Sequence, residues 1–354
     1  MKTITVDLGK NSYDILIDGG LLDRIGTHLS QIYQGKKVFI VTDENVNAYY
    51  APAVERSLTA SGFEVSKLVL PAGEKTKSIA RITNIYQALL GFDMTRGQML
   101  MALGGGVIGD IAGFCASTFM RGIPFVQVPT SLLAQVDSSV GGKVAVDLPE
   151  GKNLVGSFYQ PKAVYIDPYV LDSLTHEFFY DGLGEVLKYA LIADEPLYQL
   201  LRTCITREDI MSQIETVIFR SCDLKRKIVE RDERDTGDRM LLNFGHTIGH
   251  CIEQYYGYEK YSHGQAVVIG MSLMAQIGER MGISARGTAQ KVDALLTAHG
   301  LEIRPEWPLK TYLGALKHDK KNIGNKLHLV VLDQICKARV ILADEHFYRI
   351  AEEL

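Results

Sequence analysis

Residues 98–118, QMLMALGGGVIGDIAGFCAST, restrict the possible folds more than any other stretch. An apolar run of strand length leads into Gly104-Gly105-Gly106-Val107-Ile108-Gly109-Asp110, and an apolar helical pattern follows at once. That order matches GxGxxG between a strand and a helix. Glycines there let a backbone approach a phosphate closely, and the helix N-terminus supplies N–H groups and a positive dipole. Two features depart from the usual dinucleotide fingerprint. The turn lies about a hundred residues into the chain, and no acid follows at the expected spacing of about twenty, the nearest being Asp137. A phosphate-binding loop and a tight packing turn both remain open.

The surroundings predict an α/β domain. Short β-rich runs at residues 4–8, 13–17, 37–42, 63–70, 98–103, 125–128 and 164–167 alternate with amphipathic stretches. Polar residues follow several of these runs, where doubly wound sheets bind ligands. Asp43 and Asn45 follow the third; on their own they read as a turn with an Asx cap. Glu74 and Lys77 follow the fourth, and alone read as a helix start with a favourable acid. Thr130 and Ser131 follow the sixth. A polar, Gly-rich run then carries Asp137, Lys143, Lys152 and Asn153, and is expected to be a functional loop.

From about residue 175 the pattern changes to long helical periods at 177–192, 209–230, 239–256, 264–281 and 285–299, with a strand pair near 327–332 and 338–342. The expected organisation is an α/β nucleotide-binding domain over 1–174 and a mainly α-helical domain over 175–354. Residues 239–256 are expected to form one helix presenting Arg239, Asn243, His246 and His250 together, since residues three, four and seven apart share a face. Arg suits bidentate anion capture and His suits metal ligation. By analogy with HExxH helices, spacing alone pairs His246 with His250 as co-ligands; solvated surface histidines are the alternative. Glu185 and Lys188 share a helix face, and His263 opens a later helix.

Composition narrows the function classes. A net charge of −4 over 354 residues gives no basic footprint for nucleic acid or an anionic membrane. No apolar run is long enough to span a bilayer. The five cysteines are scattered and form no CxxC pair, so neither a thiolate zinc site nor a disulfide framework is expected, and a reducing, cytoplasmic setting is.

The motifs GGGVIGDIAGF, RGIPFVQVPTSLLAQVDSSVGGK, GKNLVGSF, GEVLKYA, DERDTGDRMLLNFGHTIGH, HGQAV and HDKK, in this order across nearly the whole chain, resemble the 3-dehydroquinate synthase family of sugar-phosphate cyclases. The resemblance implies an N-terminal NAD-binding α/β domain and a helical C-terminal domain. It also implies conversion of 3-deoxy-D-arabino-heptulosonate 7-phosphate to 3-dehydroquinate and phosphate, by transient NAD oxidation, phosphate elimination, reduction and aldol closure. It assigns Glu185, His246 and His263 as ligands of a divalent zinc or cobalt ion, with His250 on the substrate side. It assigns Asp43, Asn45, Glu74, Lys77, Gly105, Gly106, Val107, Asp110, Thr130 and Ser131 to NAD, with Lys143 and Lys152 as further cofactor-side candidates. Asp137, Lys143, Asn153, Lys188, Lys225, Arg239, Asn243, His250 and Lys320 match the substrate pocket, Lys321 competing with Lys320. Arg121 matches an arginine lent by the partner subunit of a homodimer. Gln265 stands where the family usually has Glu, so the groups orienting His263 are expected to differ. The competing functions are another sugar-phosphate cyclase, a metal-dependent NAD-linked polyol dehydrogenase of the same architecture, and a non-catalytic NAD-binding regulator.

Overall fold

A computed structural model of the chain describes residues 1–314 and 327–354. Lys320 and Lys321 lie outside the described residues. The rest groups into two compact units, Met1–Phe179 with Lys225–Glu230, and Tyr180–Leu224 with Arg231–Leu354.

The first unit is built on a seven-stranded sheet. Its strands are β1 (Lys2–Val6), β2 (Tyr13–Ile17), β3 (Lys37–Asp43), β4 (Glu64–Leu70), β5 (Met99–Gly104), β6 (Phe125–Pro129) and, after a separate hairpin of β7 (Lys143–Leu148) and β8 (Gly151–Phe158), β9 (Ala163–Ile166). They lie in the order β1-β2-β9-β6-β5-β3-β4. All neighbours pair in parallel except β1 with β2. Every residue of β5, β6 and β9 is buried, as apolar strands covered on both faces require. Alternation within β3 divides the core. Val38 and Ile40 pack with α1 (Ile25–Ile32) and, after the short α2 (Glu44–Tyr49), with α3 (Ala51–Ala60). Phe39 and Val41 pack with α4 (Ile79–Gly91) and α5 (Gly106–Thr118) on the other face. The strands β4 and β5 flank β3 on opposite sides, so the chain changes winding direction there, and ligands are expected beyond the carboxyl ends of such strands.

Several sequence expectations need correction. The polar run after residue 134 is not all loop, because Lys143–Leu148 and Gly151–Phe158 pair as an antiparallel hairpin. Val144 and Val146 are buried against α5, an alternation that the flanking glycines obscured. The expected helix over 239–256 is broken. Asp238–Asn243 is a tight 3-10 turn, and Gly245 adopts φ 82° before α10 begins at His246.

The second unit holds most of α6 (His176–Ala193), then α7 (Glu195–Thr203), α8 (Arg207–Ser212), α9 (Ile214–Arg231, apart from its 225–230 segment), α10 (His246–Tyr255), α11 (His263–Arg280), α12 (Thr288–Ala298), the antiparallel pair β10 (His328–Gln334) and β11 (Lys337–Leu342), and α13 (Glu345–Glu352). The expected helix over 209–230 is interrupted at Gln213, between α8 and α9. The centre of the unit is α11, with thirteen of its eighteen residues buried, so it is covered nearly all round. Its neighbours approach closely because glycines line the crossings. A Cβ on Gly249 would lie 3.0 Å from the Ala266 carbonyl oxygen, and one on Gly184 would lie 3.0 Å from that of Gly264.

Candidate active site

In the first unit the candidate nucleotide residues gather by topology. Asp43 and Asn45 follow β3, Glu74 and Lys77 follow β4, Gly105 to Asp110 follow β5, and Thr130 and Ser131 follow β6. These are four adjacent parallel strands, so their carboxyl ends form one edge. At the α5 N-terminus, a Cβ on Gly106 would lie 3.2 Å from Ser138 Oγ, and one on Gly105 would lie 3.5 Å from Ser131 Oγ. Side chains would fill this cradle, whereas bare backbone leaves its N–H groups accessible to an anion. Gly109 faces the sheet, where a Cβ would meet Gln127 Oε1 at 2.7 Å. The turn thus packs tightly against the sheet at Gly109 and leaves bare backbone at Gly105 and Gly106.

Several candidates already hold one another. Asp43 Oδ1 accepts from the backbone N–H groups of Asn45 and Val46, both at 3.0 Å, which is the cap expected of it alone. Lys77 is buried and pairs with Asp110 Oδ2 at 2.5 Å and Asn153 Oδ1 at 2.5 Å. Burial works against the Lys77 charge, but Asp110 and Glu74 outweigh it and raise the ammonium pKa. Burial pushes the Asp110 carboxyl up, opposed by Lys77. Asn153 adopts φ 58°, and its N–H donates to Asp147 Oδ1 at 2.7 Å. Asp147 was not singled out from the sequence, because an isolated Asp before a turn has no distinctive spacing. Lys143 is exposed at the start of β7, and Lys152 is half-buried in β8.

In the second unit three donors converge. Glu185, on α6, is buried, and its Oε1 lies 3.5 Å from His246 Nε2 and 3.6 Å from His263 Nε2. One donor atom from each of these three residues lies within 4.8 Å of the other two. The opposite ring nitrogens are held as well: His246 Nδ1 lies 3.3 Å from the Phe244 carbonyl oxygen, and His263 Nδ1 lies 3.4 Å from Glu253 Oε2. One carboxylate and two imidazoles, each imidazole oriented through its far nitrogen, suit a divalent metal with positions left open. A second group, His250, Glu253 and His263, meets the same distance limit. His246 and His250 pack edge to face at 5.5 Å between ring centroids but share neither group.

Local structure explains the convergence. Asp181, one turn before Glu185 on α6, accepts from the Gly264 N–H at 2.5 Å and so fixes the start of α11. Ser262 and Gln265 form a reciprocal capping box at the same end. The Gln265 side chain therefore accepts from the Ser262 N–H at 2.9 Å, and Glu253 is the group that holds His263. The Gln265 oxygen is thus engaged at the helix start. Glu253 was missed because its helical spacing from His246 and His250 does not reveal a partner on another helix.

The charges are asymmetric. Burial lowers the His246 pKa to about 3, despite Glu185. Burial also opposes the His263 charge, but hydrogen bonds to Glu185 and Glu253 prevail and raise its pKa to about 10. Lys188 Nζ pairs with the other Glu185 oxygen, and both residues are buried. Arg239 is buried in the 3-10 turn and donates from Nη1 to the Glu233 carbonyl oxygen at 2.7 Å. That turn is tied down by Asp232, which accepts N–H bonds from Thr236, Gly237 and Arg239 at 3.0, 2.7 and 3.1 Å. Asn243 and His250 are exposed. In the first unit, Lys225 pairs with Asp137. Arg121 is exposed on a backbone with φ 66°.

The chain matches two adjoining family models, 3-dehydroquinate synthase N-terminal over residues 67–181 and 3-dehydroquinate synthase C-terminal over residues 182–322. The 3-dehydroquinate synthase of Clostridium kluyveri is 47% identical over 340 residues, 95% of each chain. Among solved structures, 2-deoxy-scyllo-inosose synthase complexed with carbaglucose-6-phosphate, NAD+ and Co2+ superposes with a TM-score of 0.88 at 23% identity, covering 99% of this chain and 100% of that one. The 2-epi-5-epi-valiolone synthase of Streptomyces hygroscopicus subsp. jinggangensis 5008, with NAD+ and Zn2+ bound, gives 0.87 at 25% identity, covering 96% and 95%.

Proposed function

Since the chain belongs to the 3-dehydroquinate synthase family, we propose that it converts 3-deoxy-D-arabino-heptulosonate 7-phosphate to 3-dehydroquinate and phosphate. The observation that carries this is 47% identity to a 3-dehydroquinate synthase over nearly the full length of both chains. The cyclases with other names are about half as similar at 23% and 25%, which weighs against another cyclase activity. The buried Arg239 weighs the same way, because a guanidinium fork suits the substrate carboxylate.

NAD is held at the carboxyl ends of β3 to β6 by Asp43, Asn45, Glu74, Lys77, Gly105, Gly106, Val107, Asp110, Thr130 and Ser131, with Lys143 at the start of the β7–β8 hairpin and Lys152 just after its turn as further candidates. Glu185, His246 and His263 hold zinc or cobalt; the acceptors behind both imidazoles and the exposure of His250 support this set over one built on His250. When bound, NAD supplies a hydride acceptor and the metal a Lewis acid. The chain's own residues hold and orient a multiply anionic substrate. By resemblance these are Asp137, Lys143, Asn153, Lys188, Lys225, Arg239, Asn243, His250 and Lys320, with Asp137 holding the Lys225 ammonium. Such positioning contributes a large share of the rate in reactions that need several atoms aligned at once.

The working assembly is a homodimer in which Arg121 acts in the neighbouring subunit's site. Met120, Arg121 and Gly122 have φ of 49°, 66° and 115° in succession. A non-glycine residue held in left-handed backbone costs about 1–2 kcal/mol, and such strain concentrates at functional positions. Membership of a family of biosynthetic enzymes favours a cytoplasmic setting; among the described residues no helix is long and apolar enough to cross a membrane.

One assay tests the function. Phosphate release from the heptulosonate phosphate, with NAD in catalytic amount and no net NADH, is the expected result. Accumulation of NADH without phosphate release would instead identify a dehydrogenase.

A further inference from the structure

Glu253 is buried, with 3% of its surface exposed. It lies on α10, seven residues after His246 and three after His250. A buried carboxylate is costly unless it is paired, so its partner carries information. Its Oε2 lies 3.4 Å from His263 Nδ1, while Nε2 of the same ring lies 3.6 Å from Glu185 Oε1. The ring is therefore gripped from both sides. The His246 ring has the same plan, with the Phe244 carbonyl oxygen 3.3 Å from Nδ1 and Glu185 Oε1 3.5 Å from Nε2. The two imidazoles differ in the group behind them, a neutral carbonyl for His246 and a carboxylate for His263. His263 opens α11 and retains about a third of its side-chain surface exposed, whereas His246 retains 13%. The more exposed ring thus has the stronger acceptor behind it.

We propose that Glu253 is a positioning residue of the metal centre, accepting the Nδ1–H of His263 so that Nε2 faces the ion beside His246 and Glu185. This rests on the assignment of Glu185, His246 and His263 as ligands. An acceptor on Nδ1 selects the tautomer with a free Nε2 lone pair, sets the ring plane, and makes the ring a better donor to a metal. Removing such a partner typically weakens metal affinity about 10–100-fold. Glu253 and His250 also belong to the second group of potential donors, so direct ligation by Glu253 is the competing arrangement.

The test is titration of metal-free protein with Co2+ against a competing chelator, reading affinity, stoichiometry and the visible d–d spectrum. Glu253→Leu, which removes the acceptor, is expected to bind one Co2+ about 100-fold more weakly with an altered spectrum. Glu253→Gln keeps an acceptor oxygen without the charge, and about a 10-fold loss at unchanged stoichiometry is expected. If the leucine variant does not fold, the glutamine variant decides alone. Wild-type affinity and spectrum in Glu253→Gln would overturn the proposal. So would complete loss of the ion in that variant, which would make Glu253 a ligand. A merely structural role would lower the melting temperature of metal-free protein and leave the cobalt spectrum unchanged. His263→Ala is the control for the underlying assignment: wild-type affinity there would overturn the ligand set itself, whatever the Glu253 variants do.

Discussion

Lys225 Nζ donates to both the carboxylate and the backbone carbonyl of Asp137, at 2.8 and 2.7 Å. The two residues are 88 positions apart, and Lys225–Glu230 belongs to the same compact unit as Asp137 although it lies deep in the helical half of the sequence. A single ammonium thus fixes the backbone that follows β6.

Replacing Lys225 with Met keeps the stem and removes both bonds. Hydrogen bonds to charged groups contribute about 1.5–3 kcal/mol each, but a quarter of the Asp137 side chain is exposed, so hydration offsets part of the loss. The expected outcome is a drop of about 1–2 kcal/mol in a denaturant titration, together with a severe loss of turnover. Unchanged stability would mean that the pair does not hold this segment.

Gly245 separates the 3-10 turn from α10 at φ 82°, and a Cβ there would meet the Val267 carbonyl oxygen and Met271 Cγ, each at 2.6 Å. Gly245→Ala therefore incurs both backbone strain and overpacking, about 2–4 kcal/mol together. Gly257 has φ 60° but nothing within 4 Å of its virtual Cβ, so Gly257→Ala should cost only about 1 kcal/mol. Comparing the two melting temperatures separates the contributions; equal shifts would show that packing against α11 does not matter.

His299 is buried, and its Nε2 lies 3.0 Å from the Leu201 carbonyl oxygen. Burial lowers its pKa, with the Leu201 and Ile205 carbonyls opposing. The folded value is then below the unfolded value of about 6.5. As pH falls through about 6.5, the unfolded chain takes up a proton that the folded chain resists, so stability is lost on acidification and is insensitive to this group at higher pH. His299→Gln should reduce the stability difference between about pH 7.5 and about pH 5.5, measured by urea unfolding. An unchanged difference would assign the acid sensitivity elsewhere.

The proposed dimer predicts complementation. Arg121→Ala and Lys188→Met should each be nearly inactive. In a mixed dimer one site combines an intact Lys188 with an Arg121 from the other chain, and the other site lacks both. Random pairing makes about half the dimers mixed, so about a quarter of wild-type activity should return. Mixed dimers formed without recovery would exclude action of Arg121 across the interface.

The α/β framework was legible because each central strand is a short run of apolar residues bounded by turn residues, a local pattern that survives in any context. The edge formed by Asp43, Lys77, Gly105 and Ser131 was legible for the same reason, since position after a strand end is a property of sequence order. The family was legible from long motifs taken together. What depended on tertiary structure was every pairing across elements. The periodicity of residues 239–256 suggested one helix, but crowding of Gly245 against Val267 and Met271 accompanies the break there. Helical spacing placed His246 and His250 near one another, but only the packing of α6 and α11 against other helices decided which ring nitrogen faces Glu185 and which faces Glu253. Likewise, nothing local to Lys225 names Asp137 as its partner. Sequence order encodes periodicity and backbone preference, whereas partner choice among charged side chains depends on distances that only the folded chain sets.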